Sequence, residues 1–158
     1  MKSCRVLFVC LGNICRSPTA QGVFEHLVAR EKLSKIISVD SAGTSGWHID
    51  SAPDARTVQA AKSRGYDLSA LRGRKAIKQD FERFDFILAM DQQNYDALNE
   101  IKPKDYSGHL GLFLGFASSS SKREVPDPYY GGAKGFDTVL DLIEDASEGL
   151  MEHLKAAR

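Results

Sequence analysis

The stretch Val9-Cys10-Leu11-Gly12-Asn13-Ile14-Cys15-Arg16-Ser17-Pro18 joins a predicted strand to a predicted helix. Residues 5–9, which lead into it, are mostly apolar with β-branched and aromatic members, as is typical of a buried central strand. Ser17 and Pro18 predict the start of the helix, with Ser17 as the N-cap and Pro18 at the first helical position. The loop between them would direct backbone N–H groups and the positive end of the helix dipole towards one point, which is how proteins bind phosphate without a metal.

Predicted strands and helices alternate along the rest of the chain. The apolar patterns indicate strands over residues 36–42, 84–90 and 110–116, and helices over residues 19–31, 53–64, 91–101 and 136–156. Gly65 is predicted to end the second helix. Such alternation predicts an α/β fold with a parallel sheet covered on both faces, in which the functional site lies at the carboxyl ends of the strands. Cys10 stands at one such end.

The composition predicts one domain over residues 1–158. With 42% hydrophobic residues the chain is long enough to bury one core, and no shift in composition divides it. The net charge is zero and no apolar run approaches roughly 20 residues, so we expect neither a nucleic-acid partner nor a membrane span. The N-terminus lacks a signal-peptide pattern, and the three cysteines at positions 4, 10 and 15 fit a reducing compartment, so we expect cytoplasmic residence.

Cys10 and Arg16 carry the chemistry that the loop predicts. Five residues separate them, which lets the loop wrap a tetrahedral oxyanion while Arg16 binds two of its oxygens. The same N–H groups and helix dipole would stabilise a nucleophilic Cys10 thiolate, to whose sulfur Ser17 is placed to donate. Gly12 is expected to give the turn its backbone freedom, and Asn13 to adopt a positive φ. A nucleotide-binding P-loop would need Gly-Lys-Ser/Thr where this chain has Cys-Arg-Ser-Pro.

Asp127 is the predicted acid that protonates a leaving group. Prolines on both sides restrict its backbone, although an Asp-Pro pair in general more often marks a turn. Tyr129 and Tyr130 can form the walls of a cleft that stacks an aromatic ring. Trp47, in a predicted loop, either caps the edge of the core or forms a further wall of such a cleft.

The two motifs, Cys10 to Ser17 and Asp127-Pro128-Tyr129-Tyr130, resemble those of the low-molecular-weight protein tyrosine phosphatases. The resemblance covers essentially the whole chain. It implies a three-layer flavodoxin-like fold with a four-stranded parallel sheet, no metal and no cofactor. It also implies two-step hydrolysis of phosphotyrosine through a phosphocysteine, with tyrosine-phosphorylated proteins as substrates. We expect a monomer or a weak homo-oligomer.

The resemblance also implies roles for individual residues. Cys10 is the nucleophile, Arg16 the phosphate clamp, and Asp127 the acid and later the base that activates water. Cys15 resembles a second loop cysteine that can form a disulfide with Cys10 under oxidation and so protect it. The phosphate loop and its support comprise Leu11, Gly12, Asn13, Ile14, Cys15, Ser17 and Ser41. The substrate pocket comprises Trp47, His48, Tyr129 and Tyr130, with Leu11 and Ile14 helping to shape it.

The chain departs from the family pattern at one place. Many members carry a histidine that joins the loop network after the second helix, whereas this chain has Ser69-Ala70-Leu71 there. We therefore expect Asn13 to be held less firmly than in those relatives, with consequences for the Cys10 thiolate and for turnover.

Three other functions share part of this pattern. A thiol-dependent arsenate reductase uses a similar loop but normally needs a further cysteine pair near residues 80 to 90, and this chain has no cysteine after Cys15. A non-catalytic phosphotyrosine-binding module would not need Cys10, Arg16 and Asp127 together. A phosphocysteine carrier of a sugar-transport system would not need Asp127. Hydrolysis of phosphotyrosine therefore accounts for more of the sequence than these alternatives do.

Overall fold

A parallel four-stranded sheet forms the centre of the computed structural model, which describes residues 2–129 and 131–157. Within that part of the chain the order of the strands is β2-β1-β3-β4, and all three pairings are parallel. The strands are β1 (Cys4–Cys10), β2 (Ile37–Gly43), β3 (Phe86–Ala89) and β4 (His109–Leu112). The helices are α1 (Arg16–Arg30), α2 (Ala55–Lys62), α3 (Asp80–Arg83), α4 (Gln92–Ile101) and α5 (Ala133–Ala156). The predicted parallel sheet is confirmed.

Alternate side chains of β1 pack into two separate hydrophobic cores, one on each face of the sheet. Val6 and Phe8 pack on the side of α1 and α5, where the Phe8 ring lies 5.9 Å from that of Phe24. Leu7 and Val9 point to the other side, into a core that α3 and α4 complete. Successive side chains of a strand point to opposite faces, so the continuous apolar run from Val6 to Val9 must be covered on both faces of the sheet. The result is the three-layer arrangement of a flavodoxin-like fold.

The first helix begins earlier than predicted. Cys15 is its N-cap, so that Ser17 and Pro18 are its second and third residues and not the N-cap and first residue. The Ser17 side chain is fully buried and its Oγ lies 3.0 Å from Cys10 Sγ. A hydroxyl engaged with the sulfur does not cap the helix, and no side-chain hydrogen bond caps α1.

The predicted fourth strand over 110–116 is too long. β4 ends at Leu112, which pairs with Ala89, the last residue of β3. With no neighbouring strand beyond that point, the chain turns into a 3-10 helix over Phe113–Phe116. The turn buries Phe113 against Phe8, with 4.8 Å between the ring centroids. The apolar residues that suggested a longer strand therefore pack into the core from this 3-10 helix.

Other differences from the predicted elements concern their ends and one short helix. β3 is shorter than the predicted 84–90, α2 begins after its N-cap Asp54, and α5 begins three residues before the predicted position. The sequence patterns gave no sign of α3, which has only four residues. Gly65 has φ +91°, which fits its predicted place after the second helix. No helix in the described residues is long and apolar enough to cross a membrane.

Candidate active site

A cavity of about 180 Å³ opens at the carboxyl end of β1. Cys10 ends that strand, and the loop to α1 forms the floor of the cavity. The structure thus brings most of the predicted site residues together, while Asn13, Ser17 and Ser41 lie buried behind the loop. Tyr130 lies outside the described residues. The cavity is lined by Cys10, Leu11, Gly12, Ile14, Cys15, Arg16, Trp47, His48, Asp127 and Tyr129.

The carbonyl groups of the loop are engaged outside it. They belong to Cys10, Leu11, Ile14 and Cys15, and they accept hydrogen bonds from the backbone N–H groups of Thr44, Ser45, Asp54 and Thr19 respectively. By contrast, the N–H groups of Leu11, Gly12, Ile14 and Cys15 have no protein acceptor within residues 2–129 and 131–157. Unpaired N–H groups at the start of a helix attract an anion. The loop is therefore built to accept negative oxygens.

The Cys10 sulfur is held by two groups of the same loop and helix. The backbone N–H of Asn13 donates to Cys10 Sγ at 3.3 Å, and Ser17 Oγ lies 3.0 Å from the sulfur. The side chain is buried, with 2% exposure. The sulfur thus accepts one backbone N–H and shares a second hydrogen bond with a hydroxyl, next to the start of α1.

Asn13 holds the loop from behind. Its φ of +57° confirms the predicted left-handed conformation. Its Nδ2 donates to Ser17 Oγ at 2.8 Å and to Ser41 Oγ at 3.0 Å, and its Oδ1 accepts from the backbone N–H of Arg74 at 3.0 Å. With three partners for its amide, Asn13 is not loosely held. The third of these contacts comes from the backbone of Arg74, and the expectation that Asn13 is held less firmly than in relatives with the histidine stays a prediction.

Arg16 is buried at the edge of the cavity, with 3% of its surface exposed. Its Nη1 donates to Asp91 Oδ2 at 2.6 Å and to the Val125 carbonyl at 3.0 Å. Burial opposes its charge, but the neighbouring Cys10 and Asp91 more than offset that effect and raise the pKa of Arg16. Within the described residues neither Nε nor Nη2 makes a protein hydrogen bond, which leaves both for an oxyanion.

Asp127 faces the same cavity. Its Oδ2 lies 3.8 Å from Arg16 Nη2, and its Oδ1 accepts the N–H of Tyr129 at 3.0 Å. The segment before it is fixed at Val125, whose N–H donates to the Met90 carbonyl and whose own carbonyl accepts from Arg16. The Asp127 side chain keeps 40% exposure. It is thus positioned by its backbone and open to a substrate and to water.

Exposed apolar side chains form the rim of the cavity. Trp47 is 77% exposed, and Leu11 and Tyr129 are each 38% exposed. This placement favours the prediction of Trp47 as a pocket wall over a cap on the core. Gly12 has no positive φ; a Cβ there would lie 3.1 Å from His48 Cδ2. The backbone here does not need the positive φ that glycine allows, and a side chain at position 12 would require the His48 ring to shift.

Cys15 also lines the cavity, and it differs from Cys10 in its surroundings. It is buried, and all three cysteines are free thiols. Burial raises the pKa of the Cys15 thiol to about 12. Cys15 therefore keeps its proton near neutral pH.

Several residues of this site were not predicted. Asp91 follows β3 at the same edge of the sheet as Cys10, a position that could have marked it as functional. Gln21, whose Oε1 accepts from Ser41 Oγ at 2.7 Å, gave no signal, nor did the Val125 carbonyl. Arg56 lies over the Tyr129 ring at 5.4 Å and donates to the Tyr129 carbonyl. Among the described residues no three His, Cys, Asp or Glu side chains cluster as metal ligands would.

Comparison with known proteins agrees with this geometry. Residues 5–158 match the family described as low molecular weight phosphotyrosine protein phosphatase. A putative low molecular weight protein-tyrosine-phosphatase of Synechocystis is 42% identical over 151 residues, which cover 95% of this chain and 96% of the relative. A protein tyrosine phosphatase of Entamoeba histolytica superposes with a TM-score of 0.94 at 41% identity, covering 98% of this chain and 99% of that one. A Drosophila arginine phosphatase superposes with a TM-score of 0.89 at 33% identity, covering 98% of each chain. The chain belongs to the low molecular weight phosphotyrosine protein phosphatase family.

Proposed function

We propose that this protein hydrolyses phosphotyrosine and other aryl phosphate monoesters in two steps through a phosphocysteine on Cys10. The observation that carries the proposal is the pair of hydrogen bonds at Cys10 Sγ, from Asn13 N–H and Ser17 Oγ, beside the buried Arg16 guanidinium. A thiolate so placed is both a nucleophile and a good leaving group. The names of the relatives support phosphotyrosine as the substrate class.

In the first step the Cys10 thiolate attacks phosphorus and the bond to the tyrosine oxygen breaks. The loop N–H groups and the Nε and Nη2 groups of Arg16 bind the phosphoryl oxygens and stabilise the charge that they carry in the transition state. Asp127 gives its proton to the departing phenolate, so the phenol leaves neutral. The phosphoryl group then stays on Cys10 Sγ.

In the second step water replaces the sulfur. The Asp127 carboxylate takes a proton from a water molecule, and the oxygen of that water attacks the phosphorus of the phosphocysteine. The S–P bond breaks, inorganic phosphate forms, and the thiolate returns to its hydrogen bonds with Ser17 and Asn13. The same two bonds that hold the thiolate before the reaction thus assist its departure.

The rim of the cavity favours an aromatic leaving group. Trp47 and Tyr129 present exposed apolar surface at the entrance, against which the phosphotyrosine ring of a protein substrate can pack. Because one structural neighbour is an arginine phosphatase, phosphoarginine is the comparison substrate for this proposal. We expect an aryl phosphate to be hydrolysed with the higher kcat/KM.

We also propose that oxidation of Cys10 regulates this protein through a disulfide with Cys15. Peroxide would convert the Cys10 thiolate to a sulfenic acid, and attack by the Cys15 thiol would form the disulfide and release water. Both cysteines line the same cavity. Because the pKa of Cys15 is raised to about 12, we expect the second step to be slow near neutral pH. Mild peroxide followed by peptide mapping should give the Cys10–Cys15 disulfide, whereas a sulfonic acid on Cys10 beside free Cys15 would contradict it.

Hydrolysis of p-nitrophenyl phosphate and phenyl phosphate in buffer with a chelator tests the proposed reaction. Cys10→Ser should reduce the rate to background, while Cys4→Ser should leave kcat unchanged. Asp127→Ala should reduce kcat by about 10²–10⁴, and more for phenyl phosphate, because its leaving group needs the proton more. Asp105→Ala, an exposed aspartate elsewhere, is the control. Activity that survives Cys10→Ser, or that appears only with a divalent metal, would contradict the mechanism.

A further inference from the structure

Gln21 belongs to a chain of hydrogen bonds that begins at Cys10, and its side chain also makes a hydrogen bond to the Glu25 carboxylate. It lies on α1 four residues after Ser17, so both side chains share one face of that helix. The chain of contacts runs from Cys10 Sγ to Ser17 Oγ, then through the Asn13 amide to Ser41 Oγ and on to Gln21 Oε1. Gln21 is buried, with 8% exposure, and its 2.7 Å contact is the shortest of the chain.

The direction in which each group donates follows from one fixed donor. The backbone N–H of Arg74 can only donate, so the Asn13 atom beside it must be Oδ1 and the atom facing the serines must be Nδ2. The two Nδ2 hydrogens are then shared out, one to Ser17 Oγ and one to Ser41 Oγ. Each serine oxygen therefore accepts from Asn13, and each serine must place its single hydrogen on another atom.

The two serine hydrogens have different destinations. Ser17 can donate to Cys10 Sγ at 3.0 Å or to the Ala42 carbonyl at 3.3 Å, and a thiolate is the stronger acceptor. Ser41 is buried and donates to Gln21 Oε1. Without Gln21 Oε1, the Ser41 hydroxyl would lose this acceptor. Its hydrogen would then no longer be oriented away from Asn13.

We infer that Gln21 is a positioning residue for the reaction that we propose above. Its carbonyl oxygen fixes the Ser41 hydroxyl, which fixes the Asn13 amide. The Asn13 amide in turn leaves the Ser17 hydrogen free for the Cys10 sulfur. Gln21 does not touch the substrate; it acts through three intervening side chains.

Two substitutions of Gln21 separate its hydrogen bond from its bulk. Gln21→Met keeps the length of the side chain but removes the acceptor. Gln21→Glu, always made together with Glu25→Gln so that no second carboxylate is placed beside Glu25, keeps an acceptor for Ser41. A net hydrogen bond changes an equilibrium by roughly two- to tenfold. We expect Gln21→Met to lower both kcat for p-nitrophenyl phosphate and the rate of Cys10 alkylation by iodoacetamide by about three- to tenfold. Gln21→Glu should stay within about twofold of the wild type.

Controls make the outcome specific. Gln59→Met, the same exchange at an exposed position of α2, should leave both rates unchanged. Ser41→Ala should lower both rates, and adding Gln21→Met to it should have little further effect, because the two residues act in one chain. Thermal melting of each variant shows whether the fold is retained.

The results distinguish this inference from the proposed function. A wild-type protein that does not hydrolyse p-nitrophenyl phosphate would refute the proposed function itself. A wild-type protein that does, with Gln21→Met equal to it in both rates, would overturn only the role of Gln21. Equal losses in Gln21→Met and Gln21→Glu would also overturn it, since the side chain would then matter for packing and not as an acceptor. Fully additive losses in the double variant would do the same.

Discussion

Replacing Asp91 by serine removes the carboxylate that lies nearer to Arg16, at 2.6 Å against 3.8 Å for Asp127, and keeps the rest of the local structure. Asp91 Oδ2 accepts from Arg16 Nη1 at 2.6 Å, while Asp91 Oδ1 caps α4 by accepting the N–H of Asn94 at 2.8 Å. Serine is an equally good helix cap, so Asp91→Ser separates these two tasks. Arg16 keeps its bond to the Val125 carbonyl. The substitution therefore leaves a buried guanidinium without its main negative neighbour.

The size of the effect follows from burial. Removing one partner of a fully buried ion pair costs about 3–5 kcal/mol. Arg16 is 3% exposed, but the Asp91 side chain is 19% exposed and Arg16 borders an open cavity, which water can enter. We therefore expect a smaller loss than for a fully buried pair, about 2–3 kcal/mol in the free energy of unfolding. Because Arg16 would no longer be held in the orientation that binds phosphate, kcat/KM should also fall about 10- to 100-fold, which corresponds to roughly 1.4–2.7 kcal/mol of transition-state binding.

Urea unfolding and hydrolysis of p-nitrophenyl phosphate measure the two effects of Asp91→Ser. Asp96→Ser, on the same helix, is the matched control: it removes the same charge from an exposed position, where the carboxylate accepts from Gln92 Nε2 at 2.9 Å. The control should change stability by at most about 0.5 kcal/mol. If Asp91→Ser matches this control in both stability and kcat/KM, the assignment of Asp91 as the residue that positions the clamp is wrong.

Other substitutions test the remaining parts of the site. Ser17→Ala should lower kcat about tenfold, because the Cys10 thiolate loses a hydrogen bond both as nucleophile and as leaving group; an unchanged kcat would contradict that role. Gly43→Ala would place a Cβ 2.8 Å from the Leu11 carbonyl oxygen and should reduce both melting temperature and activity; wild-type values would show that the loop has room. The folded state holds the Cys15 proton up to a pKa of about 12 against an ordinary 9.0, so Cys15 stabilises the fold below pH 9 and loses that contribution as the pH rises to 12. Cys15→Ala should flatten this alkaline decline in urea unfolding, and an equally steep decline would refute the assignment.

The sequence predicted the parts of the site that depend on short-range spacing. Cys10 and Arg16 lie on one strand–loop–helix unit, so their meeting at one cavity follows from local geometry, and so does the positive φ of Asn13. Asp127 was predicted from a motif far along the chain, and the structure does place it beside Arg16, with 3.8 Å between the charged atoms.

Features that depend on distant partners were not predictable from the local pattern. β4 ends where its neighbouring strand β3 ends, and the sequence of residues 110–116 contains no information about the length of β3. Ser17 looks like a helix cap because serine usually is one, but the nearby sulfur and the Asn13 amide engage its hydroxyl. Asp91 and Gln21 act through contacts that span 75 and 20 residues of sequence. Only the three-dimensional structure identifies such partners.

The central claim is that the phosphoryl group passes through Cys10. Rapid acid quenching of the wild-type enzyme during hydrolysis of p-nitrophenyl phosphate, followed by mass spectrometry of the peptides, tests it directly. The proposed mechanism predicts a phosphoryl adduct on Cys10 that appears as nitrophenol is released and disappears when substrate is exhausted. Steady hydrolysis with no adduct, or with the adduct on any other residue, would contradict it.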